Sequence, residues 1–559
     1  MKAGLLSSIW RNPLVWILAL AAGLRLAGLF WGLPAADGWD DDGFAPRNFL
    51  TALALTYKQG AYFTYPPLHA IFLALLTLPG IVLALLQAPS LHQADVIAAF
   101  TKPGTMTFFA VTARLVNLAL SLGIVWCVGE MARLVAGRRA GLFAAGACTL
   151  NFGLTYYGQV SNLDVPYLFW AVMALWFCMR AVTEQQPRYF WGAALFAAAA
   201  VATKDQAYAL FLLSLPLFLL FCFALDGWAR ANARKIILTL LPPAALALLA
   251  VLLLDGALTN PSGFAKRVAF LTGPASRTYA EYWHGPLGWA ALLTDMMRYY
   301  ARGYGLLAVL WTGIGVWLTW RRRNVAGFLP LLAIVSFTLC FNFAALRSDD
   351  RFLLPQAVLA CVYIGIAVEM IGHARPWLRW CGQAVAAIMA LLALHQAIAI
   401  NAGMMFDPRY DAERWMAAYV RPGETVESYG QNCFLPRFPE HALVTRVGQG
   451  DLKLRNPLPA VREIRAPFIG PRDARYVVLS TAWARRYLRP PVSLGPGRTY
   501  SILQQADFRN TDARQYFTGL VGGKLPYRLV HVAAPNAFWP TVHIHDSLNE
   551  AIWIFERTR

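Results

Sequence analysis

The chain has 559 residues, 58% hydrophobic and only 14% charged, where soluble globular proteins carry roughly a quarter charged residues, so a soluble globular fold is excluded and a bilayer is indicated. The net charge is +19, yet the basic residues sit in short clusters between apolar runs and in the C-terminal part. No basic face is interleaved with aromatics, which excludes nucleic acid as a partner. Seven of the eight cysteines lie in apolar runs, leaving neither a disulfide framework nor a Cys-x-x-Cys metal site.

Taken in chain order, apolar runs near the length needed to cross a bilayer cover 13–33, 107–133, 140–158, 164–183, 188–203, 206–225, 235–255, 304–320, 325–345, 352–372 and 376–400, which predicts eleven spans. The first run lacks an Ala-x-Ala exit and reads as a retained anchor. With Lys2 and Arg11 inside, the loops holding Arg133, Arg138 and Arg139, then Arg180 and Arg188, then Arg230, Arg234 and Lys235, then Arg321–Arg323, then Arg375 and Arg379 all fall inside, as basic loops require. A further run, Leu68–Ala88, follows Pro66-Pro67 and is interrupted at Pro79-Gly80. Counting it as a span inverts every later loop, so it reads as a kinked helix lying on, or re-entering, the outer side.

The predicted fold class is an α-helical polytopic membrane protein. Residues 1–400 form its transmembrane domain, with outer loops at 34–106 and 256–303, and residues 401–559 form a C-terminal extracytoplasmic α/β domain. In that tail, Tyr476–Leu479 and Ala551–Phe555 have strand character and Asp411–Val420 helix character.

Chemistry is sought on the outer side. Trp39-Asp40-Asp41-Asp42-Gly43-Phe44 sets three carboxylates just beyond the first span, where they can serve as a general base, hold a divalent cation, or simply form a solvated acidic loop. Tyr62-Phe63-Thr64-Tyr65-Pro66-Pro67-Leu68-His69 is an aromatic patch that suits an interfacial belt or a lipid head group. Charges in or at the mouths of spans are costly: Arg25, Arg114, Asp164, Lys204, Arg347 and Arg351. Arg25 or Arg114 pairing with Asp164 is the plain structural expectation for them. Yet Asp40–Asp42, Arg114, Asp164, Lys204, Arg347 and Arg351 fall on one face of the membrane, the arrangement that transfer from an anionic lipid carrier needs: cations for phosphate and a carboxylate for the acceptor's proton.

The stretch Arg25-Leu-Ala-Gly-Leu-Phe-Trp-Gly-Leu-Pro34, then Asp40-Asp41, Ala61-Tyr-Phe-Thr-Tyr-Pro-Pro-Leu68, Ala113-Arg-Leu115, Gly137-Arg-Arg-Ala-Gly141, Ser161-Asn-Leu-Asp164 and Arg351-Phe-Leu-Leu-Pro355 resembles the GT-C glycosyltransferases that use polyprenyl-phosphate sugars. That group includes the protein O-mannosyltransferases and the bacterial aminoarabinose and family 39-like transferases. The resemblance covers about the first 370 residues. It implies membrane-lying helices in the first outer loop, an acidic pair at Asp40-Asp41 whose first member is the base, and carrier-phosphate binding by Arg351 and Lys204. Asp41 replaces the family's Glu, and Tyr65 stands where the aminoarabinose branch often has Lys, which argues against an aminoarabinose donor.

The expectation is thus an inverting glycosyltransferase of the bacterial inner membrane, N-terminus cytoplasmic, moving a sugar from a polyprenyl-phosphate donor to a hydroxyl on a lipid, polysaccharide or protein acceptor. Asp40 and Asp41 are its catalytic pair; Lys204, Arg347, Arg351 and Tyr65 bind donor phosphate; Arg114, Asp164 and Arg25 position the loop. His69 and His284, the latter beside Trp283, are sugar or acceptor contacts. No cofactor is required, and a divalent cation on Asp40 and Asp41 is an option. The rivals are a flippase of lipid-linked sugars, against which stand the one-sided charges and the lack of internal repeats, and a scaffold whose 401–559 segment, with 21 Lys+Arg against 14 Asp+Glu, binds envelope polymer.

Overall fold

The computed structural model describes residues 12–35, 38–40, 43, 44, 48–448, 461–465, 473–536, 544 and 548–558. Seven helices there are long and apolar enough to cross a membrane: Pro103–Ala136, Asp164–Thr183, Asp205–Leu225, Ala233–Leu254, Ala326–Ala345, Asp350–Gly372 and Pro376–Tyr419. Two bent helix pairs bring the number to nine, and Pro13–Leu26 and Tyr189–Val201 are shorter apolar helices. The chain is therefore a multi-pass helical membrane protein. Run 140–158 divides into Arg138–Thr149 and Phe152–Tyr157, because the Asn151 side chain accepts from Leu154 N at 2.8 Å and starts a new helix.

The helices are not equivalent. The apolar window of Asp350–Gly372 is 89% buried and that of Ala233–Leu254 only 11%, so the first is the bundle's axis and the second turns most of its side chains outward. Close approach at the axis depends on small residues, as expected where lipid tails remove the hydrophobic drive between helices. A Cβ on Gly365 would stand 2.4 Å from the Ala140 carbonyl oxygen.

Leu68–Leu76 and Leu78–Leu86 are bent by 63° at Thr77. The kink falls just ahead of Pro79, which occupies the first turn of the second helix, where its missing N–H costs nothing. Leu75, Leu78, Leu83 and Leu86 are exposed along this pair. Segment 256–303, expected as a loop, contains the helices Pro261–Thr272 and Pro286–Tyr304, and the latter turns 102° at Gly305 into Leu307–Arg321.

The tail holds a six-stranded sheet: β1 (Thr425–Tyr429), β2 (Leu443–Gly448), β3 (Val461–Arg465), β4 (Tyr476–Ser480), β5 (Tyr527–Ala533) and β6 (Ile552–Arg557), in the order β3-β2-β1-β4-β6-β5. The first four are parallel; β6 runs antiparallel to β4 and β5 to β6. Every residue of β4 is buried, as in a sheet covered on both faces. Tyr476 and Val478 join the core under helix Pro408–Tyr419, while Val477 and Leu479 join the core under Thr481–Leu488 and Thr511–Val521, the period-two alternation of a strand.

Candidate active site at the first outer loop

Asp40 is held on every side. Its carboxylate takes a bidentate pair from Arg114, Nη2 to Oδ1 at 2.7 Å and Nε to Oδ2 at 3.2 Å, while Ser161 N and Oγ donate to Oδ2 at 2.9 and 2.8 Å. Arg114 is completely buried, and the Asp40 side chain is 3% exposed. The remaining Arg114 bonds go to the Leu29 and Trp31 carbonyls at 2.7 and 2.9 Å, so one guanidinium ties the end of the first span to the acidic loop. The pairing of Arg114 with Asp164 expected from sequence is therefore corrected: Arg114 belongs to Asp40. The cause lies one turn along the same helix. Asn117 Nδ2 donates to Val160 O at 2.6 Å and Asn162 O at 2.8 Å, pinning this segment so that Ser161 meets Asp40 while Asp164 faces elsewhere.

Asp164 faces Lys204, with Nζ to Oδ1 at 2.7 Å and both side chains buried. The ammonium lies 5.8, 5.6 and 5.7 Å from the ring centres of Tyr65, Tyr167 and Phe352. Phe352 also carries the Arg347 guanidinium at 4.7 Å and that of Arg351 at 4.8 Å. Three expected phosphate cations thus converge on one ring, although their residues are up to about 150 positions apart in sequence. Arg347 pairs with Asp349 and also lies over Tyr279; Asn342 Nδ2 closes its turn by donating to Arg347 O and Phe352 O. The acidic loop joins this cluster through Phe44, whose N–H donates to Ser161 O at 2.7 Å and whose ring lies 6.5 Å from that of Tyr65.

Other expected residues have different surroundings. Arg25 is buried and donates to Ala21 O and Thr149 O, while Asp164 is paired with Lys204, so the pairing of Arg25 with Asp164 is also corrected. His69 is buried against Phe44 and Phe72, 6.0 and 6.5 Å away. His284 and Trp283 are exposed. Asp41 and Asp42 lie outside the described residues. Among the described residues no group of three or more His, Cys, Asp or Glu is placed to hold a metal.

Sequence reasoning missed the residues that brace this loop from 256–303. Asn260 Nδ2 donates to Thr56 O, Lys58 O and Ala61 O at 3.0, 2.8 and 2.9 Å, and its Oδ1 accepts from Gly60 N at 2.9 Å. The available signal was Asn260-Pro261, a helix cap before an N1 proline. Buried Arg267 holds Asp255 at 2.8 Å and Asp205, the neighbour of Lys204, at 3.2 Å. Asn260→Ala strips several backbone groups of their partner at once and is expected to cost about 1–3 kcal/mol. Faster amide exchange confined to 56–61, with a lowered unfolding temperature, is the check.

The family described as dolichyl-phosphate-mannose-protein mannosyltransferase matches residues 96–254. Among solved structures, the chain is similar to ArnT from Cupriavidus metallidurans bound to undecaprenyl phosphate, with 15% identity over 84% of this chain and 93% of that one and a TM-score of 0.46. It is also similar to the Archaeoglobus fulgidus oligosaccharyltransferase tethered to an acceptor peptide, with 12% identity over 98% and 88% and a TM-score of 0.46. No curated protein matches the sequence significantly. The stretch that contributes Arg114, Ser161, Asp164 and Lys204 to the site is therefore the one that is similar to the dolichyl-phosphate-mannose-protein mannosyltransferases, as the sequence resemblance implied.

Proposed function

We propose that the protein is a glycosyltransferase that moves one sugar from a polyprenyl-phosphate donor to a hydroxyl acceptor at the outer face of the bacterial inner membrane, with its N-terminus cytoplasmic and its 401–559 domain extracytoplasmic. The observation that carries this reading is the convergence of Lys204, Arg347 and Arg351 on Phe352, joined through Tyr65 and Phe44 to a buried carboxylate. Cations gathered in a partly dry site are what a departing phosphate needs. The Lys204 ammonium makes one bond to Asp164 and has three N–H groups, so it can hold phosphate without releasing its partner.

In the transfer step the acceptor oxygen attacks the anomeric carbon as the carbon–oxygen bond to phosphate breaks. The phosphate keeps the electron pair, the configuration inverts, and the acceptor's proton passes to Asp40. Asp40 makes room by exchanging the Ser161 hydroxyl bond for the acceptor's, one hydroxyl for another. Its bidentate contact with Arg114 keeps it aimed, which suits a base that acts late, once the sugar carbon is strongly electrophilic. Its oxygens already accept four hydrogen bonds, two of them from a guanidinium. Oxygens so occupied by N–H and O–H groups do not fit a divalent cation.

The test is mass spectrometry of envelope glycans from a deletion strain complemented with wild type or with Asp40→Asn that reaches the membrane. One sugar is expected to vanish on deletion and to return only with wild type, its mass naming the donor. If Asp40→Asn restores every glycan, the acid–base assignment fails.

A further inference from the structure

The residue before Asp40 is Trp39, 2% exposed, and much of what buries it comes from far along the chain. Its ring lies 3.9 Å from the Arg409 guanidinium, 5.0 Å from Tyr410 and 5.6 Å from Arg437. On its own side are Trp31, 5.9 Å away, and Gly32, at φ +69°, where a Cβ would stand 2.6 Å from the ring. The indole thus fills a slot with a glycine for one wall and C-terminal cations for the other.

Arg409 is itself fixed. It is buried and grips Asp407 twice, Nε to Oδ1 at 2.8 Å and Nη2 to Oδ2 at 2.6 Å, while Nη1 donates to Cys433 O just beyond β1. Asp407 in turn accepts from Trp31 Nε1 at 3.1 Å. Tyr410 OH accepts from Gly32 N at 3.0 Å, and Arg437, paired with Glu413, reaches Pro34 O at 3.4 Å. Planarity lets an arginine stack flat on an indole and fork onto a carboxylate at the same time; a lysine ammonium can sit over a ring but cannot do both.

We propose that Arg409 is a positioning residue for Asp40, acting through Trp39. This rests on the transferase reading, since it assigns the tail a part in setting the base rather than in binding acceptor alone. Two residues, Arg114 and Ser161, fix the direction of Asp40 from one side; the Arg409–Trp39 stack fixes the backbone that carries it. Displacing a reacting group by about 1 Å costs up to roughly 100-fold in rate, so a slackened stack is expected to lower kcat and leave donor binding intact.

The experiment uses the full-length protein in lipid nanodiscs, as wild type, Arg409→Lys and Trp39→Phe. Amide exchange is followed in peptides spanning 38–44 and in those of β1 and β4, undecaprenyl phosphate is the binding probe, and transfer gives kcat and acceptor KM. Both variants are expected to raise exchange at 38–44 about tenfold and to lower kcat about 10- to 100-fold, with undecaprenyl phosphate affinity and sheet exchange unchanged. Unchanged exchange at 38–44 in both variants overturns the proposal, as does protection lost equally from β1 and β4, which marks a role in the tail's fold alone. Because Trp39→Phe leaves the Arg409–Asp407 pair in place, it decides the matter if Arg409→Lys does not fold. Loosened exchange at 38–44 in a protein whose wild type transfers no sugar supports the clamp and overturns the transferase reading.

Discussion

Asp40→Asn is expected to abolish sugar transfer and to destabilise the protein at the same time, and the two losses are separable. The amide keeps the shape of the carboxylate but leaves Arg114, completely buried, without its counter-charge. Breaking such a pair from one side costs about 3–5 kcal/mol, because the surviving ion stays desolvated. Arg114→Gln alone is expected to cost a similar amount by stranding Asp40. The double variant, Asp40→Asn with Arg114→Gln, leaves two neutral groups able to hydrogen bond and is expected to regain most of the stability. It is not expected to regain activity, since losing a general base costs about 100- to 10,000-fold whatever the fold's stability. Unfolding temperature and turnover measured on the same three preparations make the check. A double variant that recovers turnover along with stability shows Asp40 to be a brace only.

Lys204 and Arg351 are open to the same kind of measurement. Lys204→Gln removes a proposed phosphate ligand and also leaves the Asp164 carboxylate buried and without Lys204 among the rings of Tyr65, Tyr167 and Phe352, so both polyprenyl-phosphate affinity and unfolding temperature should fall. Losing one charge-assisted contact is worth about 1.5–3 kcal/mol, about 10- to 150-fold in donor affinity. Arg351→Gln is expected to lose comparable affinity. Lys204→Arg is not a rescue, because the bulkier planar fork does not fit where a compact ammonium meets one carboxylate oxygen among three rings. Equal donor affinity in wild type and Lys204→Gln overturns the phosphate assignment.

What could be read from sequence was whatever the bilayer imposes locally. Each expected apolar run contains helix, although 13–33 is helical only over Pro13–Leu26 and 140–158 is divided; the interrupted run at 68–88 is bent, and the two strand-like stretches of the tail became β4 and β6, because period and apolar length are properties of short windows. Helix Pro286–Tyr304 escaped because Asp295, Arg298 and Arg302 interrupt its apolar side chains, so no uniform run announces it. Choice of partner was not legible. Arg114 and Asp164 were both placed at the outer mouths of spans, yet their partners are decided by Asn117, whose two bonds turn Ser161 toward one carboxylate and Asp164 toward Lys204. The convergence on Phe352 was equally hidden, being made by residues drawn from different loops.

The brace on Trp39 also says something about when this protein becomes competent. Trp31 and Asp407 are 376 residues apart in the chain, and Pro34 and Arg437 are 403 apart. Contacts of such separation are slow to form, and neither can form before its later residue has been synthesised. During synthesis, then, the acidic loop emerges and its spans insert long before anything exists to hold the indole from the other side. A ribosome must travel past residue 437 before the loop can be seated. A stalled or prematurely cut product therefore carries the charges of the site without the geometry to use them.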